Sequence, residues 1–444
     1  MGGQGSQNTL PSIKKDMKKI KLAVVGYGNR GQVYADYSLD EPNEVEVVAV
    51  IDPNAYKLSV AKERYGLQDG QVFGSYADFL RSGIEADLVV NATMEQQHYQ
   101  TAVEILTSRH HMLIEKPIVA KKEELNELRR LAKENECMVF VCHVLRYSPY
   151  YKKVKETIDS GAIGQIVSME MNEHVWVPHF ATSYVRGKWN SEAECGSPVL
   201  LAKCCHDMDL ICWLNGSKTA KVSCFGHRHY FLPQNKPQGA TERCFDCPHK
   251  AECFYDAETM YLERDVMPFL VWDGLNKPFD QITDEEKRAW LETSIFGKCI
   301  YDCGGDVMDR QTLVVDFEDG SVAAFTLSCG TSRPDRYLHI VGTKGEIEGK
   351  LEENKFVYRV YDKKSVGYTQ ETIDLSKEIV NNAKYGGHSG GDYGIMHDLV
   401  RYLNGEKSSA SITLLEDSAA SHLLVYGAEE SRKTGKIVSL AEEK

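Results

Sequence analysis

The chain has 444 residues, of which 42% are hydrophobic and 26% charged, as in soluble globular proteins with at least two domains. Its formal net charge of −13 argues against nucleic acid or an anionic membrane surface as a partner, because both are bound largely through Lys and Arg. The N-terminus lacks the apolar run of a signal peptide, and no apolar stretch has the roughly 18 residues that a membrane helix needs.

Thirteen cysteines without a secretion signal favour a reducing compartment, so we expect a cytoplasmic protein whose thiols are mostly buried. The segment "MKKIKLAVVGYG" leads directly from Met17 into an apolar run. Residues 1–16 are therefore expected to be a disordered leader or a remnant of cloning.

The first part of the chain alternates strand and helix patterns. Apolar runs predict strands at "IKLAVVGYG", "EVEVVAVID", "ADLVVNAT", "HMLIEKP" and "CMVFVCHVLRY", with helical patterns such as "YKLSVAKERYG" and "KEELNELRRLAKENE" between them. Strands separated by helices of this length form βαβ units. Residues 17–145 are therefore predicted to form a Rossmann domain with a doubly wound parallel sheet.

The first predicted strand ends in the GxGxxG signature of a dinucleotide-binding turn, and a helix pattern follows it. Asp52 closes the second strand about 20 residues after Gly31, where such proteins carry the acidic residue that binds the ribose hydroxyls. A carboxylate there would repel a 2′-phosphate, so we expect NAD rather than NADP, although Lys57 lies close in sequence. The candidate cofactor residues of this region are Gly26, Gly28, Asn29, Arg30, Gly31 and Asp52.

From Arg146 onward the pattern changes to longer alternating segments, such as "GQIVSMEMNEHVWV", "AKVSCFGHRHYF", "TLVVDFEDGSVAAFTLSC", "RYLHIVGTKGEIEG" and "NKFVYRVYD". Alternation with turns at "EDG" and "TKG" is typical of antiparallel strands. "LLEDSAASHLLVYGAEESRKTGK" predicts a late amphipathic helix. Residues 146–444 are therefore predicted to form an α+β domain with one large, mostly antiparallel sheet.

At Glu115-Lys116-Pro117 the chain resembles the Gfo/Idh/MocA oxidoreductases, the relatives of glucose–fructose oxidoreductase and inositol dehydrogenase. The resemblance runs from Lys18 to Leu440 through "GYGNRG", "IDP", "EKP", "HVLRYSP", "GAIGQIVS", "SYVRGKW" and "AKCCHDMDL". It implies that Glu115 and Lys116 lie beside the nicotinamide, often with a cis bond before Pro117, and that Lys116 touches the substrate hydroxyl. It also implies a homo-oligomer formed through the C-terminal sheet.

The stretch "LLAKCCHDMDL" is predicted to lie on a helix from Leu201 to Trp213. Helical geometry places Cys204 and Cys205 on an apolar stripe and turns Cys204 away from His206, so this helix is a poor Cys-Cys-His metal site. By the resemblance, His206 matches a substrate-facing histidine. The Asp that normally precedes it by four residues is Ala202 here, with Lys203 next. We expect His206 to be the acid–base residue.

The segment "EHVWVPHFATSYVRGKW" mixes aromatic and hydrogen-bonding side chains, which suits a polyhydroxylated ring. A surface loop that packs its own aromatics is the alternative. His388 and Asp392, in a glycine-rich stretch, are further possible substrate contacts. With these, the predicted substrate-binding residues are Lys116, Arg146, Tyr184, Arg186, Trp189, Lys203 and His206.

Three cysteines stand at short spacing in a polar excursion of about residues 235–300, in the stretch "RCFDCPHKAEC". With a fourth ligand they would hold a structural zinc ion. The predicted ligands are Cys244, Cys247, Cys253 and Cys299, with Cys303 as the next choice for the fourth. The alternative is that these residues are reduced thiols without metal.

Together these features predict an NAD-dependent oxidoreductase that moves hydride between nicotinamide and a ring hydroxyl or ketone of a sugar, sugar derivative or cyclitol. Lys116 and His206 are its predicted catalytic residues. A glycoside hydrolase that uses NAD transiently, through sugar oxidation and elimination, is the second hypothesis. A nucleotide-sensing protein without enzymatic activity is the third.

Overall fold

A computed structural model describes residues 17–378, 387–406 and 409–440, and two sheets organise them. The first sheet has six strands in the order β3-β2-β1-β4-β5-β6, and every pair of neighbours is parallel. Its strands are β1 Ile20–Val25, β2 Val45–Ile51, β3 Val72–Phe73, β4 Leu88–Asn91, β5 His111–Ile114 and β6 Val139–Val141. The long apolar runs of β1 and β2 are buried on both faces, as expected between two helix layers.

The helices of this first domain are α1 Asn29–Asp40, α2 Ala55–Tyr65, α3 Tyr76–Ser82, α4 His98–Thr107 and α5 Lys122–Glu134. Local sequence sets several of their ends. The Asn54 side chain accepts hydrogen bonds at the start of α2, and Gly66 ends that helix in the left-handed conformation. The predicted doubly wound parallel sheet is confirmed.

The second sheet has nine strands in the order β14-β13-β12-β11-β7-β10-β9-β8-β15. Its strands are β7 Ile166–Trp176, β8 Thr219–His227, β9 Arg310–Phe317, β10 Val322–Thr331, β11 Asp335–Gly342, β12 Gly345–Lys350, β13 Lys355–Asp362, β14 Gly367–Asp374 and β15 Val438–Ser439. The pair β7–β10 is parallel and the other pairs are antiparallel. This confirms the predicted large, mostly antiparallel sheet.

Short helices and two long ones complete the second half of the chain. They are α6 Pro149–Asp159, α7 Val177–Phe180, α8 Glu192–Cys195, α9 Val199–Ala202, α10 Cys205–Asn215, α11 Pro268–Val271, α12 Asp284–Thr293, α13 Gly391–Leu403 and α14 Leu415–Thr434. A π-helical turn at Ala181–Arg186 continues α7. The buried face of the large sheet shares one apolar core with α10 and α14. The predicted cysteine-rich excursion lies in the connection from β8 to β9.

One continuous helix was predicted from Leu201 to Trp213, and this is wrong at its start. Helix α9 ends at Ala202, Lys203 and Cys204 form a turn, and α10 begins at Cys205. The carbonyl of Ala202 accepts a hydrogen bond of 2.8 Å from Lys116 Nζ, so it is occupied where a continuous helix would bond the N–H of His206. The prediction that Cys204 and Cys205 belong to the core is confirmed.

The C-terminal part of the chain returns to the first domain. Helix α13 packs against α1, and its residues Ile395 and Leu399 belong to the same core as β1. Leu414 pairs with Phe140 of β6, and α14 then runs past α5 onto the large sheet. In the described part of the chain, no helix is both long and apolar enough to span a membrane.

Candidate active site

The glycine turn after β1 has the shape that a dinucleotide needs. Gly26 has φ +87, and a Cβ atom there would lie 2.5 Å from the carbonyl oxygen of Ala92. A Cβ on Gly31 would lie 2.1 Å from the Gly26 oxygen, so α1 can pack this closely only with glycine. A Cβ on Gly28 would meet nothing within 4 Å. Open space therefore faces the start of α1, whose N-cap has no side-chain hydrogen bond, and these residues fit a pyrophosphate.

Asp52 lies beside this turn at the end of β2. Its Oδ2 accepts a 2.8 Å hydrogen bond from the Tyr27 N–H, and its Oδ1 accepts one of 2.8 Å from the Asn54 N–H. Each oxygen keeps a lone pair for a ribose hydroxyl. Lys57, the nearby cation, forms an ion pair of 3.2 Å with Asp273.

Arg30 is the second residue of α1, and its guanidinium points away from the turn into a buried ionic network. Nε donates to Glu115 Oε1 over 2.6 Å, and the two terminal nitrogens donate to Asp392 over 2.7 and 3.1 Å. Burial would raise the pKa of Glu115, but Arg30 and Lys116 outweigh it and hold that pKa below its usual value. Arg30 and Glu115, both predicted cofactor residues, thus bind each other and fix the end of β5. Asn29 lies at the first position of α1, against the open space.

Lys116 stands where β5 leaves the sheet, at the edge that also carries the glycine turn. The Lys116–Pro117 peptide bond is cis, as the resemblance implied. The ammonium group donates to the Ala202 carbonyl, and no carboxylate within 4.0 Å pairs with it in the described part of the chain. Lys116 therefore joins the first domain to the end of α9 and keeps two donors for a ligand.

His206 lies on the first turn of α10 and is 4% exposed. Burial first, and then Lys116 and His388, lower the pKa of His206 well below its usual value, so the ring is neutral at neutral pH. Its Nδ1 atom is buried without a hydrogen-bond partner. The ring centroids of His143 and His388 lie 5.9 and 5.6 Å from that of His206. A neutral buried imidazole with a free nitrogen can accept a proton.

Lys203 belongs to a buried cluster of charges behind this histidine. Its Nζ lies 3.1 Å from Glu173 of β7, and Arg336 of β11 bridges Glu173 and Asp207 over 2.6 and 3.0 Å. Burial and Glu173 raise the pKa of Asp207 to about 6, although Arg336 opposes them. His179 of α7 faces this cluster. Burial, Lys203 and Arg336 lower the pKa of that imidazole to about 3.

In the aromatic segment, Trp189 and Tyr184 lie beside the first domain, whereas Arg186 lies away from it. Trp189 Nε1 donates to Glu95 Oε1 over 2.7 Å, just beyond β4, and the Tyr184 ring stacks on Trp189 at 5.8 Å. Arg186 is fully buried. Its guanidinium donates to the Tyr255 and Lys298 carbonyls over 2.7 and 2.9 Å and cannot reach a substrate.

Arg146 was also a predicted substrate contact, and its position rules this out. It is 4% exposed, and it forms two hydrogen bonds of 2.5 and 2.6 Å with Asp209. Asp209 Oδ1 lies 3.8 Å from His143 Nε2, so this ion pair forms a wall behind the histidines. A buried bidentate pair leaves no donor on that face for a ligand.

The cysteines of the predicted zinc site line one cavity in the β8–β9 connection: Cys244, Cys247, Cys253 and Cys299. Backbone N–H groups of Tyr255 and Tyr301 donate to the sulfurs of Cys253 and Cys299. Among the described residues, however, just one group of three ligand atoms lies within 4.8 Å of one another, and it is a different one: His143, Cys205 and His206. No three of the four cysteine sulfurs therefore all lie within 4.8 Å of one another.

Two site residues, His143 and Arg336, were not predicted from the sequence, and His179 was indicated only as part of the aromatic segment. His143 lies two residues after the end of β6, and residues at the carboxyl ends of parallel strands face the ligand crevice, so this position could have indicated it. His179 lies within the aromatic segment, without a spacing that distinguishes it. Arg336 reaches the site from β11, and nothing local in the sequence identifies it.

Two family models match the chain, one for each half. The model described as "Oxidoreductase family, NAD-binding Rossmann fold" matches residues 20–143, and "Oxidoreductase family, C-terminal alpha/beta domain" matches residues 155–440. The chain belongs to the GFO_IDH_MocA oxidoreductase family. These matches confirm the resemblance to this family. They also confirm that the first domain has a Rossmann fold and that the protein is an oxidoreductase.

Individual members of the GFO_IDH_MocA family are distant relatives of this chain. The Bacillus subtilis protein YteT is 24% identical over 371 residues, which cover 80% of this chain and 82% of YteT. An inositol 2-dehydrogenase of Salmonella typhimurium is 25% identical over 206 residues, 46% of this chain and 57% of that protein. A levoglucosan dehydrogenase solved with NADH and levoglucosan has the same fold, with a TM-score of 0.68 at 15% identity over 96% of this chain and 100% of that one.

Proposed function

We propose that this protein is an NAD-dependent dehydrogenase that oxidises a ring hydroxyl of a sugar, sugar derivative or cyclitol, or reduces the matching ketone. The observation that carries the proposal is the hydrogen bond from Lys116, at the end of β5, to the Ala202 carbonyl, which brings its charge close enough to act on the neutral His206 at the start of α10. Two proteins similar to this chain are named as dehydrogenases of inositol and of levoglucosan, which supports a cyclitol or sugar derivative as the substrate.

In this proposal His206 accepts the proton of the reacting hydroxyl, because its ring is neutral and one nitrogen is free. Lys116 donates a hydrogen bond to the same oxygen and stabilises negative charge on it. Bound NAD⁺ supplies the hydride acceptor. Trp189, Tyr184 and His179 form an aromatic wall beside these groups, which suits the CH faces of a sugar ring.

We propose NAD rather than NADP as the cofactor. Asp52 is 8% exposed and lies where the ribose hydroxyls of a dinucleotide are bound, so a 2′-phosphate would meet a carboxylate. Lys57 and Arg30 are the nearby cations, and both are already paired with carboxylates. A 2′-phosphate would therefore find no free positive charge from either of them.

The test is a panel of aldoses, uronic acids, glycosides and inositols, each incubated with NAD⁺ and read by the absorbance of NADH. Stoichiometric NADH from at least one ring alcohol is the expected result. Aryl glycosides are included with a catalytic amount of NAD⁺, because hydrolysis without net NADH would favour the redox-assisted glycosidase instead. Binding of NAD⁺ without turnover of any compound in either direction would favour a nucleotide sensor.

We further propose a structural zinc ion in the cysteine cavity. Four thiols line that cavity, and Arg186 Nη2 lies 3.3 Å from the sulfur of Cys244. Burial raises the pKa of Cys253 and of Cys299, and backbone N–H groups that bond their sulfurs oppose this shift in part. Rotation of the cysteine side chains is needed to bring the sulfurs to ligand distance.

We also propose that a second copy of the chain covers the open face of the large sheet. Phe225, Val314 and Val322 lie on one face of three neighbouring strands and are 68%, 50% and 42% exposed. They are diagonal neighbours across the three strands, and exposed apolar side chains grouped on one face of a sheet favour association. All thirteen cysteines lie within the described residues and none is in a disulfide, which supports a reducing compartment such as the cytoplasm.

A further inference from the structure

The surroundings of His206 offer two imidazole neighbours, and they differ in their access to solvent. His143 is completely buried, while the side chain of His388 is 34% exposed. The rings of His206 and His388 have centroids 5.6 Å apart at an interplanar angle of 54°. Of the two neighbours, His388 is therefore the one that can exchange a proton with water.

Asp392 holds His388 in a defined orientation. Its Oδ2 lies 3.2 Å from His388 Nδ1, and the same carboxylate accepts hydrogen bonds from Arg30. Burial opposes ionisation of Asp392, but His388 and Arg30 outweigh it and lower the pKa of this carboxyl, so it is an acceptor. A carboxylate at Nδ1 requires the proton on that nitrogen, which leaves the lone pair of Nε2 free.

The backbone of this segment is unusual as well. His388 and the following Ser389 have φ values of 58 and 53, in the left-handed region that residues other than glycine seldom adopt. Two consecutive residues of this kind persist only where their surroundings hold them. The Arg30–Asp392–His388 contacts are such surroundings, and they place His388 at the start of α13 beside α10.

We propose that His388 is a relay residue that receives the proton from His206 and passes it to solvent, with Asp392 stabilising the imidazolium. This rests on the proposed dehydrogenase function. In the oxidation the hydroxyl proton moves to His206, the hydride of the same carbon moves to the nicotinamide, and the C–O single bond becomes a carbonyl. The proton then moves from His206 to Nε2 of His388 while the proton on Nδ1 stays hydrogen-bonded to Asp392.

The first test compares His388→Ala with a matched control, His397→Ala. His397 lies on α13, which begins three residues after His388, is 35% exposed and pairs with Asp398 over 3.1 Å. Its ring contact within the described residues is with Tyr393, not with His206. With the panel alcohol that the unaltered protein oxidises fastest, His388→Ala should lower kcat about 10²-fold at pH 7 with little change in KM. Added imidazole should restore part of the rate, in proportion to its neutral form, and the control should stay within twofold of the unaltered protein.

If His388 has only a structural role, the loss of kcat in His388→Ala should not be restored by imidazole. That result would overturn the proposal. So would a kcat of His388→Ala within threefold of the unaltered protein. If the unaltered protein and the control both oxidise no alcohol, the dehydrogenase function fails instead.

The relay geometry is then judged from the ring ¹⁵N shifts of the NAD⁺-bound protein. The proton of the neutral His388 ring should lie on Nδ1 in the unaltered protein and shift toward Nε2 in Asp392→Asn. A proton on Nε2 in the unaltered protein would overturn the relay.

Discussion

Arg30 is the residue whose loss should reveal the buried ionic network most clearly. Its guanidinium is 29% exposed, while the two carboxylates that it holds are 6% and 1% exposed, Glu115 and Asp392. In Arg30→Met both carboxylates lose the guanidinium but stay buried, so Glu115 keeps Lys116 and Asp392 keeps His388 as the remaining opposite charges. Breaking a buried ion pair costs about 3–5 kcal/mol, and we take about 3 because Arg30 is partly exposed.

The loss should also depend on pH. In the unaltered protein the pKa values of Glu115 and Asp392 are lowered, so their stabilising contribution is present above about pH 4 and disappears only below it. Without Arg30, a charge that opposes burial is lost at both groups, so their pKa values rise relative to those in the unaltered protein. The deficit of Arg30→Met should therefore be largest near pH 7.5 and smaller at pH 5, where the carboxyls can be protonated.

Thermal unfolding followed by fluorescence at pH 7.5 and pH 5 measures both effects. A loss of about 3 kcal/mol corresponds to a fall in Tm of about 6–12 °C for domains of this size. Arg64→Met is the matched control, because Arg64 binds Asp36 through two hydrogen bonds of 2.6 and 2.8 Å but is 40% exposed. Such a surface pair contributes at most about 1 kcal/mol. Equal shifts in the two variants, or a deficit of Arg30→Met that grows at pH 5, would refute the reasoning.

Three further predictions concern the cofactor, the reaction and the metal. Calorimetric titration should give tighter binding of NAD⁺ than of NADP⁺, and Asp52→Ser should narrow the difference; equal affinities in the unaltered protein would contradict the role given to Asp52. Lys116→Met should lower turnover of the best panel alcohol by about 10²-fold or more while NAD⁺ affinity changes little, and near-normal turnover would remove Lys116 from the chemistry. Elemental analysis of protein purified without chelator should find about one zinc ion per chain. Cys247→Ser should lose the metal and have a lower Tm, whereas the control Cys137→Ser should keep both. Less than about a tenth of an equivalent of zinc in the unaltered protein would reject the site.

The parts of the site that could be predicted are those that local sequence determines. The glycine turn follows from steric limits at Gly26 and Gly31, and both glycines stand against backbone atoms in the structure. The positions of Asp52 and Lys116 in the site could be predicted because each residue follows a strand, and ligands bind at the carboxyl edge of a parallel sheet. The alternating segments likewise indicated most strands of the large sheet. Strand β14 was missed because its residues are polar and largely exposed, without an alternating pattern.

The parts that could not be predicted depend on contacts between distant segments. Arg186 was interpreted as a substrate contact from its aromatic neighbours, but its partners Tyr255 and Lys298 lie 69 and 112 residues away. The break after Ala202 depends on Lys116, which lies 86 residues earlier in the chain. Helical periodicity carries no information about either contact. The zinc site and the catalytic roles of Lys116 and His206 stay predictions.

The return of helix α13 to the first domain has a consequence for any attempt to treat the two halves as exchangeable modules. The core around β1 contains Ile395, Met396, Leu399, Val400 and Ile412. A fragment that ends at residue 145 would expose the apolar surface that these side chains cover, and we expect it to aggregate. A chimera that replaces the cofactor half must therefore carry residues 391–414 from the same parent. The cofactor-binding unit is therefore discontinuous in sequence: residues 391–414 complete its core, and α14 and β15 then return to the second domain.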